Sequence, residues 1–265
     1  MPELPDVEVF RRRLAEAGLD RAIEAVELPD ARLLADRVSA DRLRRTLTGD
    51  RFRHTHRHGK HLFLQLDGGA WLALHFGMTA YPLIVEADAS DPDHVGARIT
   101  FAGGGRLLYV TQRRLGELDL VDSPGDYAGK HGLGPDVLAL GADGLRRLAD
   151  RRKQAKCWLM DQATMAGLGN IYSDEVLFQA RLHPKTPASD LTGAELDRLY
   201  ARIEDVCEAA VKAGADPARM PASFLLPHRV DGGRCPRCDT ALERVQACGR
   251  TAWYCPDCQP EADAR

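Results

Sequence analysis

Two short segments at opposite ends of this 265-residue chain carry residue types that could do chemistry. The chain opens Met1-Pro2-Glu3, and removal of Met1 would give Pro2 a free secondary amine. An α-amino pKa near ~8 leaves a neutral, nucleophilic fraction at physiological pH. Such an amine can attack an electrophilic carbon and form a Schiff base, while the neighbouring Glu3 carboxylate moves protons. The alternative is structural, because Pro-Glu-Leu-Pro can simply set a stiff turn before the first helix.

The second segment holds four cysteines near the end of the chain. They form two Cys-x2-Cys pairs separated by sixteen residues, which is the spacing of a zinc ribbon. Two such turns aim four thiolates at one point and complete a closed tetrahedral site. Because no position stays open, we expect one structural zinc and no catalytic metal, with a disulfide framework as the alternative. The predicted ligands are Cys235, Cys238, Cys255 and Cys258.

Three further cysteines lie outside this set. Cys157 and Cys207 fall in segments with helical character, where single thiols are usually small buried hydrophobes. Cys248 is close enough to the ribbon in sequence to be a spare ligand. We therefore expect no chemistry from Cys157 or Cys207.

Composition predicts an ordinary soluble globular protein, with 44% apolar and 28% charged residues. No apolar run approaches the ~20 residues of a membrane span, and no secretory signal pattern opens the chain. We therefore expect a cytoplasmic protein with two domains and no membrane partner.

Charge is distributed unevenly along the chain. The net charge of −3 argues against nucleic acid, yet seven Lys or Arg residues lie between Arg42 and Lys60. Local basic stripes, rather than the sum over the chain, set a phosphate-binding footprint. For any one of these residues a solvated charged face is the alternative. The predicted zinc ribbon contributes four more basic residues that could bind phosphate, namely Arg234, Arg237, Arg244 and Arg250.

The first half of the chain predicts one helix followed by short strands. Apolar residues at helical spacing run over 5–17 and stop at Gly18. From about 22 to 121, alternating leucines and glycine turns indicate an antiparallel β-sandwich or barrel. Residues 122–141 are rich in Gly, Pro and Asp and are interpreted as an interdomain connection, so the first domain is placed at 1–121.

The second half predicts helices and then the ribbon, which makes the fold class α+β. Helical periodicity covers 144–166 and 170–180, with a glycine turn between them. A long helix begins at the capping box Thr192-x-x-Glu195. The predicted boundaries are 142–231 for the helical domain and 232–260 for the zinc ribbon.

Taken together and in order, six segments resemble the formamidopyrimidine-DNA glycosylase and endonuclease VIII family, from residue 2 to about 260. The resemblance implies an N-terminal helix with an antiparallel β-sandwich, then a helix-two-turn-helix domain with a zinc-ribbon β-hairpin. The segments are Pro-Glu-Leu-Pro at 2–5, Arg-His-Gly-Lys at 57–60, Leu-His-Phe-Gly-Met-Thr at 74–79, Leu-Gly-Pro-Asp at 133–136, the stretch 159–172 with Gly-Leu-Gly-Asn-Ile-Tyr, and Cys-Pro-Asp-Cys-Gln at 255–259.

The resemblance also implies a function. It predicts a monomeric, nucleoid-associated DNA glycosylase and AP lyase of base excision repair that acts on damaged or abasic double-stranded DNA. Pro2 would attack the sugar of an extruded nucleotide, Glu3 would carry protons, and β,δ-elimination through the Schiff base would cleave the strand. A non-catalytic zinc-ribbon DNA-binding protein is one alternative. A monofunctional glycosylase for bulky or crosslinked adducts is another.

Further residue roles follow from the resemblance alone. The phosphates around the flipped nucleotide would be held by Lys60, His75, Asn170 and Arg250. Lys156 would lie near the lesion, with a salt-bridged surface residue as its alternative. The gap left by the extruded nucleotide would be filled by Met78, Arg113 and Leu115. Without the family match, Met78 and Leu115 would be assigned to the core and Arg113 to the surface.

The chain departs from the family pattern in several places. Asp6 replaces a glutamate, Thr111-Gln112 replaces Asp-Pro, and Leu115 replaces an aromatic residue. The segment 214–233 is short where relatives specific for 8-oxoguanine carry a longer flexible loop. It contains Pro217, Pro221 and Pro227. We therefore expect oxidised pyrimidines, ring-opened purines or hydantoins to be preferred over 8-oxoguanine.

Overall fold

The structure is a computed structural model that describes residues 1–149 and 152–261. The chain forms two compact units. The first comprises Met1–Pro2 and Asp6–Gly132, and the second comprises Glu3–Pro5 and Leu133–Arg265. None of the helices in the described ranges combines the length and apolar character that a bilayer crossing needs.

The first unit contains two antiparallel four-stranded sheets, as predicted. The elements are α1 (Leu4–Ala17), β1 (Ile23–Glu27), α2 (Ala40–Leu47), β2 (Phe52–His58), β3 (His61–Leu66), β4 (Trp71–His75), β5 (Tyr81–Val85), β6 (Val95–Phe101), β7 (Arg106–Val110), β8 (Glu117–Val121) and α3 (Pro124–Lys130). The strand orders of the two sheets are β1-β6-β7-β5 and β2-β3-β4-β8. The inward leucines of the two sheets fill one core, where Leu64 of β3 faces Leu72 of β4 and both are almost fully buried.

Helix α1 confirms the amphipathic pattern read from the sequence. Val7 and Leu14 are buried in the core of the first unit, and the Phe10 ring meets Phe76 edge-on at 5.1 Å between centroids. The helix ends where the Gly18 N–H donates to the Leu14 carbonyl at 2.8 Å.

The second unit is helical and ends in a hairpin. Thr192 and Glu195 form the predicted capping box at the start of α7, whose apolar face is buried. Four leucine, isoleucine and valine side chains of that face are at most 6% exposed and form the centre of the core of the unit. The elements are α4 (Gly141–Leu148), α5 (Ala155–Met160), α6 (Asn170–Ala180), α7 (Gly193–Lys212), β9 (Glu243–Ala247) and β10 (Arg250–Tyr254).

The prediction of one helix over 144–166 was wrong, because two short helices, α4 and α5, occupy this region. The chain before α5 pairs instead with residues 184–188. Lys153 accepts a hydrogen bond from the Ala188 N–H at 2.8 Å, and the Ala155 N–H donates to Thr186 at 2.7 Å. This tertiary pairing takes backbone groups that a continuous helix would need. Asp150 and Arg151 lie outside the described residues.

The prediction for two of the three remaining cysteines was also wrong. Cys157 of α5 and Cys248, in the turn between β9 and β10, form a disulfide with their Cα atoms 5.6 Å apart. Ninety-one positions separate them along the chain, so spacing alone gave no sign of the pairing. Cys207 is buried in α7, as expected.

Candidate functional site

Glu3 is fixed by the first turn of α6. Its side chain is 1% exposed, and its carboxylate accepts hydrogen bonds from the N–H groups of Gly169 at 2.7 Å, Ile171 at 2.8 Å and Tyr172 at 3.2 Å. N–H groups at a helix start have no partner within the helix, and the helix dipole favours a negative group there. The carboxylate therefore has a defined position set by backbone rather than by mobile side chains.

A glycine allows this close approach of the N-terminal segment. Gly167 has a φ of +137°, and a Cβ at this position would lie 2.7 Å from Leu4 Cδ1. The Leu4 N–H donates to the Gly167 carbonyl at 3.0 Å. A larger residue at 167 would be strained at this φ and would require the buried Leu4 side chain to shift.

Pro2 directly precedes this fixed carboxylate and is half-buried. With Met1 attached, the Pro2 nitrogen is a tertiary amide and has no nucleophilic character. Once Met1 is removed, the same nitrogen is a basic amine one residue away from Glu3. A fixed carboxylate next to an amine can take up and return the protons of an addition reaction.

Lys60 and His75 lie together in the first unit. Lys60 follows Gly59, which has a φ of +55°, in the two-residue turn between β2 and β3, and Lys60 is 7% exposed. His75 is the last residue of β4. Burial lowers the pKa of His75, and the positive charge of Lys60 and the nearby His131 lower it further. A neutral imidazole beside an ammonium can donate to an anion without repelling the cation.

His61 was not assigned a role from the sequence, yet it contacts His75 directly. The two residues face each other across β3 and β4, and their rings stack at 4.8 Å between centroids. Burial lowers the pKa of His61 to about 3, with smaller contributions from His75, His131 and His58. The only sequence signal was a histidine directly after the basic stripe.

Met78, Arg113 and Leu115 are brought together on two neighbouring loops of the first unit. Met78 is 41% exposed and Leu115 is 51% exposed, so the core location that these residues would be given without the resemblance is wrong. Gly77 has a φ of +52°, and a Cβ there would meet the Leu115 carbonyl oxygen at 2.2 Å. The Arg113 N–H donates to Thr79 Oγ1 at 3.3 Å. The backbones of the two loops are therefore packed against each other beneath three exposed side chains.

Asn170 and Arg250 belong to the second unit and are placed by different elements. Asn170 is the first residue of α6, and its buried Oδ1 has no hydrogen-bond partner in the part of the chain that the structure describes. Arg250 is exposed at the start of β10. An amide and a guanidinium are suitable donors to phosphate oxygens.

Lys156 is fully buried, so the surface alternative was wrong, although the ion pair is present. Its ammonium donates to the Asn170 carbonyl at 2.9 Å, Ser173 Oγ at 3.1 Å and Asp174 Oδ1 at 2.5 Å. An ammonium has three N–H donors, and these contacts use all of them. Direct contact between Lys156 and a lesion stays a prediction, and it would require the ammonium to leave these partners.

Asp174 joins three segments of the second unit. Besides Lys156, its carboxylate accepts from Arg229 Nε at 3.0 Å and from the Trp253 N–H at 3.2 Å. Arg229 lies in the 214–233 connection, and Trp253 lies in β10. One buried carboxylate thus links α5, the connection and the hairpin that carries Arg250.

Glu175 anchors the middle of the 214–233 connection. Its buried carboxylate accepts from the N–H groups of Leu225 at 3.1 Å and Leu226 at 2.8 Å. His228 contacts the Ala222 carbonyl through Nε2 at 2.8 Å. The short connection is therefore tied to α6 by backbone hydrogen bonds.

The four predicted ligand cysteines form a compact cluster. Their sulfurs all lie within 4.8 Å of one another, and none of the four is in a disulfide, so the disulfide alternative was wrong for this set. The Sγ atoms of Cys235 and Cys258 are 3.8 Å apart, and those of Cys238 and Cys255 are 3.5 Å apart. A tetrahedron with Zn–S bonds of ~2.3 Å has edges of about 3.8 Å, so the donor set fits zinc.

Two family models match most of the chain. The model of the formamidopyrimidine-DNA glycosylase N-terminal domain matches residues 1–118. The model of the formamidopyrimidine-DNA glycosylase H2TH domain matches residues 133–221. Both matches follow the order of elements in the structure.

Similar proteins match over nearly their whole length. The formamidopyrimidine-DNA glycosylase of Halorhodospira halophila is 37% identical over 98% of this chain and 100% of its own, and that of Bacillus subtilis is 32% identical over 98% and 99%. Among solved structures, the Lactococcus lactis enzyme non-covalently bound to DNA containing an AP site has a TM-score of 0.86 at 27% identity, covering 98% of this chain and 100% of its own. Its complex with DNA containing FAPY-dG has a TM-score of 0.87 at 28% identity, with the same coverage.

Proposed function

We propose that this chain, which belongs to the formamidopyrimidine-DNA glycosylase family of DNA-repair enzymes, excises oxidised or ring-opened bases and then cleaves the abasic site. The observation that carries the proposal is the Glu3 carboxylate, held by three N–H groups of α6 directly after Pro2. Solved relatives hold abasic-site DNA and FAPY-dG DNA, which supports the same classes of substrate here.

The chemistry would start at Pro2. After removal of Met1, the Pro2 amine attacks C1′ of the extruded nucleotide, and the bond to the damaged base breaks as the base takes up a proton. Glu3 accepts the proton from the amine and returns one when the sugar ring opens to the Schiff base. The Schiff base acidifies the C2′ proton, and loss of this proton expels the 3′ phosphate by β-elimination. Loss of the C4′ proton from the conjugated product then expels the 5′ phosphate by δ-elimination.

Two pairs of residues would hold the backbone during these steps. We propose that Lys60 and neutral His75 bind one flanking phosphate and that the Asn170 side-chain N–H groups and the Arg250 guanidinium donate to others. Met78, Arg113 and Leu115 would fill the gap in the duplex, because exposed apolar side chains restore stacking and a guanidinium can hydrogen-bond the orphaned base.

Borohydride trapping on a duplex with an abasic site tests the nucleophile. Protein verified to begin at Pro2 should form a covalent adduct with DNA, and a variant in which Met1 is retained should form none. Glu3→Gln preserves size and removes the proton acceptor, so excision should fall by roughly 10²–10⁴-fold. Strong trapping by the Met1-retaining protein would refute the assignment of Pro2. Binding without any trapping would instead indicate a monofunctional glycosylase or a non-catalytic binding protein, and base excision from lesion duplexes separates these two.

We propose that the cysteine cluster holds one structural zinc that keeps the Arg250 hairpin folded. Zinc binding contributes directly to folding free energy in such sites. Cys255→Ser should lose zinc and affinity for DNA together, as measured by metal content and fluorescence anisotropy. Loss of zinc with unchanged DNA affinity would contradict this role.

The anchored 214–233 connection supports a proposal about lesion choice. Glu175 and Asp174 tie it to α6, so it lacks the mobility that would let it fold over a large purine. We expect excision of 8-oxoguanine opposite cytosine to be at least about tenfold slower than excision of a hydantoin or an oxidised pyrimidine, a difference of ~1.4 kcal/mol. Single-turnover rates on matched duplexes measure the ratio. Equal rates would contradict the argument.

We further propose that the protein acts as a monomer on double-stranded DNA, in the cytoplasm and associated with the nucleoid. The exposed Arg250 and the basic stripe between Arg42 and Lys60 supply the phosphate-binding charge. Sedimentation with and without a short lesion duplex should give a 1:1 complex. A complex with two protein chains would contradict the monomer.

A further inference from the structure

The Cys157–Cys248 disulfide joins two elements that carry the proposed DNA-binding residues of the second unit. Cys157 lies in α5 next to Lys156, whose ammonium binds the Asn170 carbonyl. Cys248 lies in the β9–β10 turn, two residues before Arg250. The bond therefore tethers the hairpin tip to the helix beside the start of α6.

The turn geometry alone does not account for a cysteine at 248. Cys248 has a φ of +53° and Gly249 a φ of +66°, the pattern of a type I′ hairpin turn. Such turns favour Gly, Asn or Asp, because other side chains are strained in the left-handed region. A cysteine at this strained position gains an interaction that Asn or Gly cannot make, which is the bond to Cys157.

The disulfide adds a covalent anchor at the tip of the hairpin, next to the buried Ala247. The base of β10 is held by the Trp253 N–H donating to Asp174 and by the cysteine cluster, whose member Cys255 directly follows β10. Arg250 lies three residues beyond Trp253, toward the tip, and Cys248 lies beyond Arg250. With the disulfide intact, Arg250 lies between two fixed points. When Cys157 and Cys248 are reduced to thiols, the covalent anchor on the Cys248 side of Arg250 is lost, and the anchor at the base of β10 remains.

We propose that Cys157 and Cys248 form a reversible thiol–disulfide site that sets the affinity of the Arg250 hairpin for the phosphates of duplex DNA. The oxidised form binds tightly, and the reduced form binds more weakly. The inference rests on the proposed function in one respect, which is that Arg250 contacts DNA.

The chemistry is thiol–disulfide exchange with a low-molecular-weight disulfide such as glutathione disulfide. One cysteine thiolate attacks the glutathione disulfide and releases one glutathione thiolate, and the second cysteine attacks the mixed disulfide and releases the other. Two protein thiols lose two electrons and two protons in total, and one glutathione disulfide becomes two glutathiones. Cys248 is exposed and Cys157 half-buried, so a small thiol can reach the bond from the Cys248 side.

The size of the effect follows from ordering the hairpin tip. Fixing one long side chain and the turn before binding removes part of the entropy that binding would otherwise lose. We expect the oxidised form to bind about five- to tenfold more tightly. Oxidising conditions also generate oxidised bases, so the site would strengthen DNA binding when substrate is most abundant.

The proposal is tested by measuring the affinity of the protein for a duplex that contains a tetrahydrofuran abasic analogue, using fluorescence anisotropy. The measurement is made in one glutathione buffer that keeps the cysteine pair as a disulfide and in another that keeps it as two thiols. Thiol trapping and mass spectrometry assign the bond, and metal content verifies that the zinc cluster is intact. The matched control is Cys157→Ser with Cys248→Asn, because asparagine suits the left-handed turn. This double variant should bind the duplex in both buffers with the lower affinity expected of the reduced wild-type protein. Equal affinity of the wild-type protein in the two states, or a redox response that persists in the control, overturns the inference.

Thermodynamic linkage supplies a second readout that is independent of catalysis. If oxidation strengthens DNA binding tenfold, saturating duplex must shift the midpoint potential of the cysteine pair by about 30 mV toward the disulfide. An unshifted midpoint overturns the inference. Failure of both forms to bind the duplex would instead overturn the proposed function, which separates the two claims.

Discussion

Two regions of the molecule reverse the usual distribution of residue types. In the first unit, Met78 and Leu115 expose 41% and 51% of their surfaces. In the second unit, Lys156, Asp174 and Glu175 are fully buried. Large apolar residues normally lie inside and charges outside, so each arrangement indicates a role beyond packing. The exposed apolar side chains are available to a ligand, whereas the buried charges position backbone.

The buried charges show what positioning requires in physical terms. Taking an ammonium and a carboxylate out of water is unfavourable, and their mutual attraction offsets this only when the remaining donors and acceptors are satisfied. Lys156 makes three hydrogen bonds, and Asp174 accepts from two further groups in different segments. This arrangement defines where the hairpin and the 214–233 connection lie relative to α6.

Asp174→Leu should give the largest effect. It leaves the Lys156 ammonium buried without its counterion, so the free energy of unfolding should fall by about 3–5 kcal/mol. The double variant Lys156→Met with Asp174→Leu should recover only part of the loss, because Arg229 and the Trp253 N–H still lack their acceptor. Urea unfolding measures both, and Asp143→Asn in an exposed ion pair is the control with no measurable change. A small effect of Asp174→Leu would show that the cluster does not hold the second unit together.

Glu175→Ala should have the next largest effect on the free energy of unfolding, and the structural change should be concentrated in the 214–233 connection. It leaves the N–H groups of Leu225 and Leu226 unpaired, which should lower the free energy of unfolding by roughly 1–3 kcal/mol. Limited proteolysis should then cut within 214–233. Glu175→Gln retains an acceptor oxygen and should resist cleavage better. Equal protease resistance of the alanine variant and the wild type would argue against the anchor.

The exposed pair should behave in the opposite way. Met78→Ala and Leu115→Ala should change the free energy of unfolding by no more than about 0.5 kcal/mol, because little surface is buried. Excision should nevertheless slow by about tenfold, or ~1.4 kcal/mol in the transition state. The buried Leu118→Ala is the matched control and should lose about 2–5 kcal/mol of stability. A large loss of unfolding free energy in Met78→Ala would indicate that the Met78 side chain packs in the core.

His61 should give the smallest effect, which depends on pH. Burial lowers its pKa from an unfolded value of about 6.5 to about 3, so the folded protein disfavours the charged form. The stability contributed by neutral His61 is complete above pH 6.5 and is lost progressively as the pH falls toward 3. Between pH 7.5 and 6 the loss should be about 1 kcal/mol. Thermal unfolding of His61→Phe should lack this component, and an unchanged pH dependence would contradict the assignment.

The sequence predicted the parts of the molecule that depend on local pattern or on motif. Alternating leucines predicted β3 and β4, and the capping box predicted the start of α7. Paired cysteines predicted the cluster of four sulfurs. Each of these signals lies within a few neighbouring residues or in a fixed spacing.

Interactions between distant residues were not predictable in the same way. The split between α4 and α5 arises from pairing with residues 184–188, and the Cys157–Cys248 bond joins residues 91 positions apart. The burial of Lys156 depends on Asp174, which was not assigned a role from the sequence. Such contacts depend on tertiary structure, which overrides local preference.

The three residues Glu3–Pro5 belong to the second unit although the rest of that unit begins at Leu133. The partners of these residues at Gly167, Gly169 and Ile171 lie more than 160 residues further along the chain and are therefore synthesised later. During synthesis, the Glu3–Pro5 segment therefore has no folded partner until α6 has been made. A nascent or truncated chain that ends before residue 172 carries Pro2 and Glu3 without the helix that orders them. Such a fragment lacks the hydrogen bonds that fix the Glu3 carboxylate, so the order of this side chain depends on synthesis having reached α6.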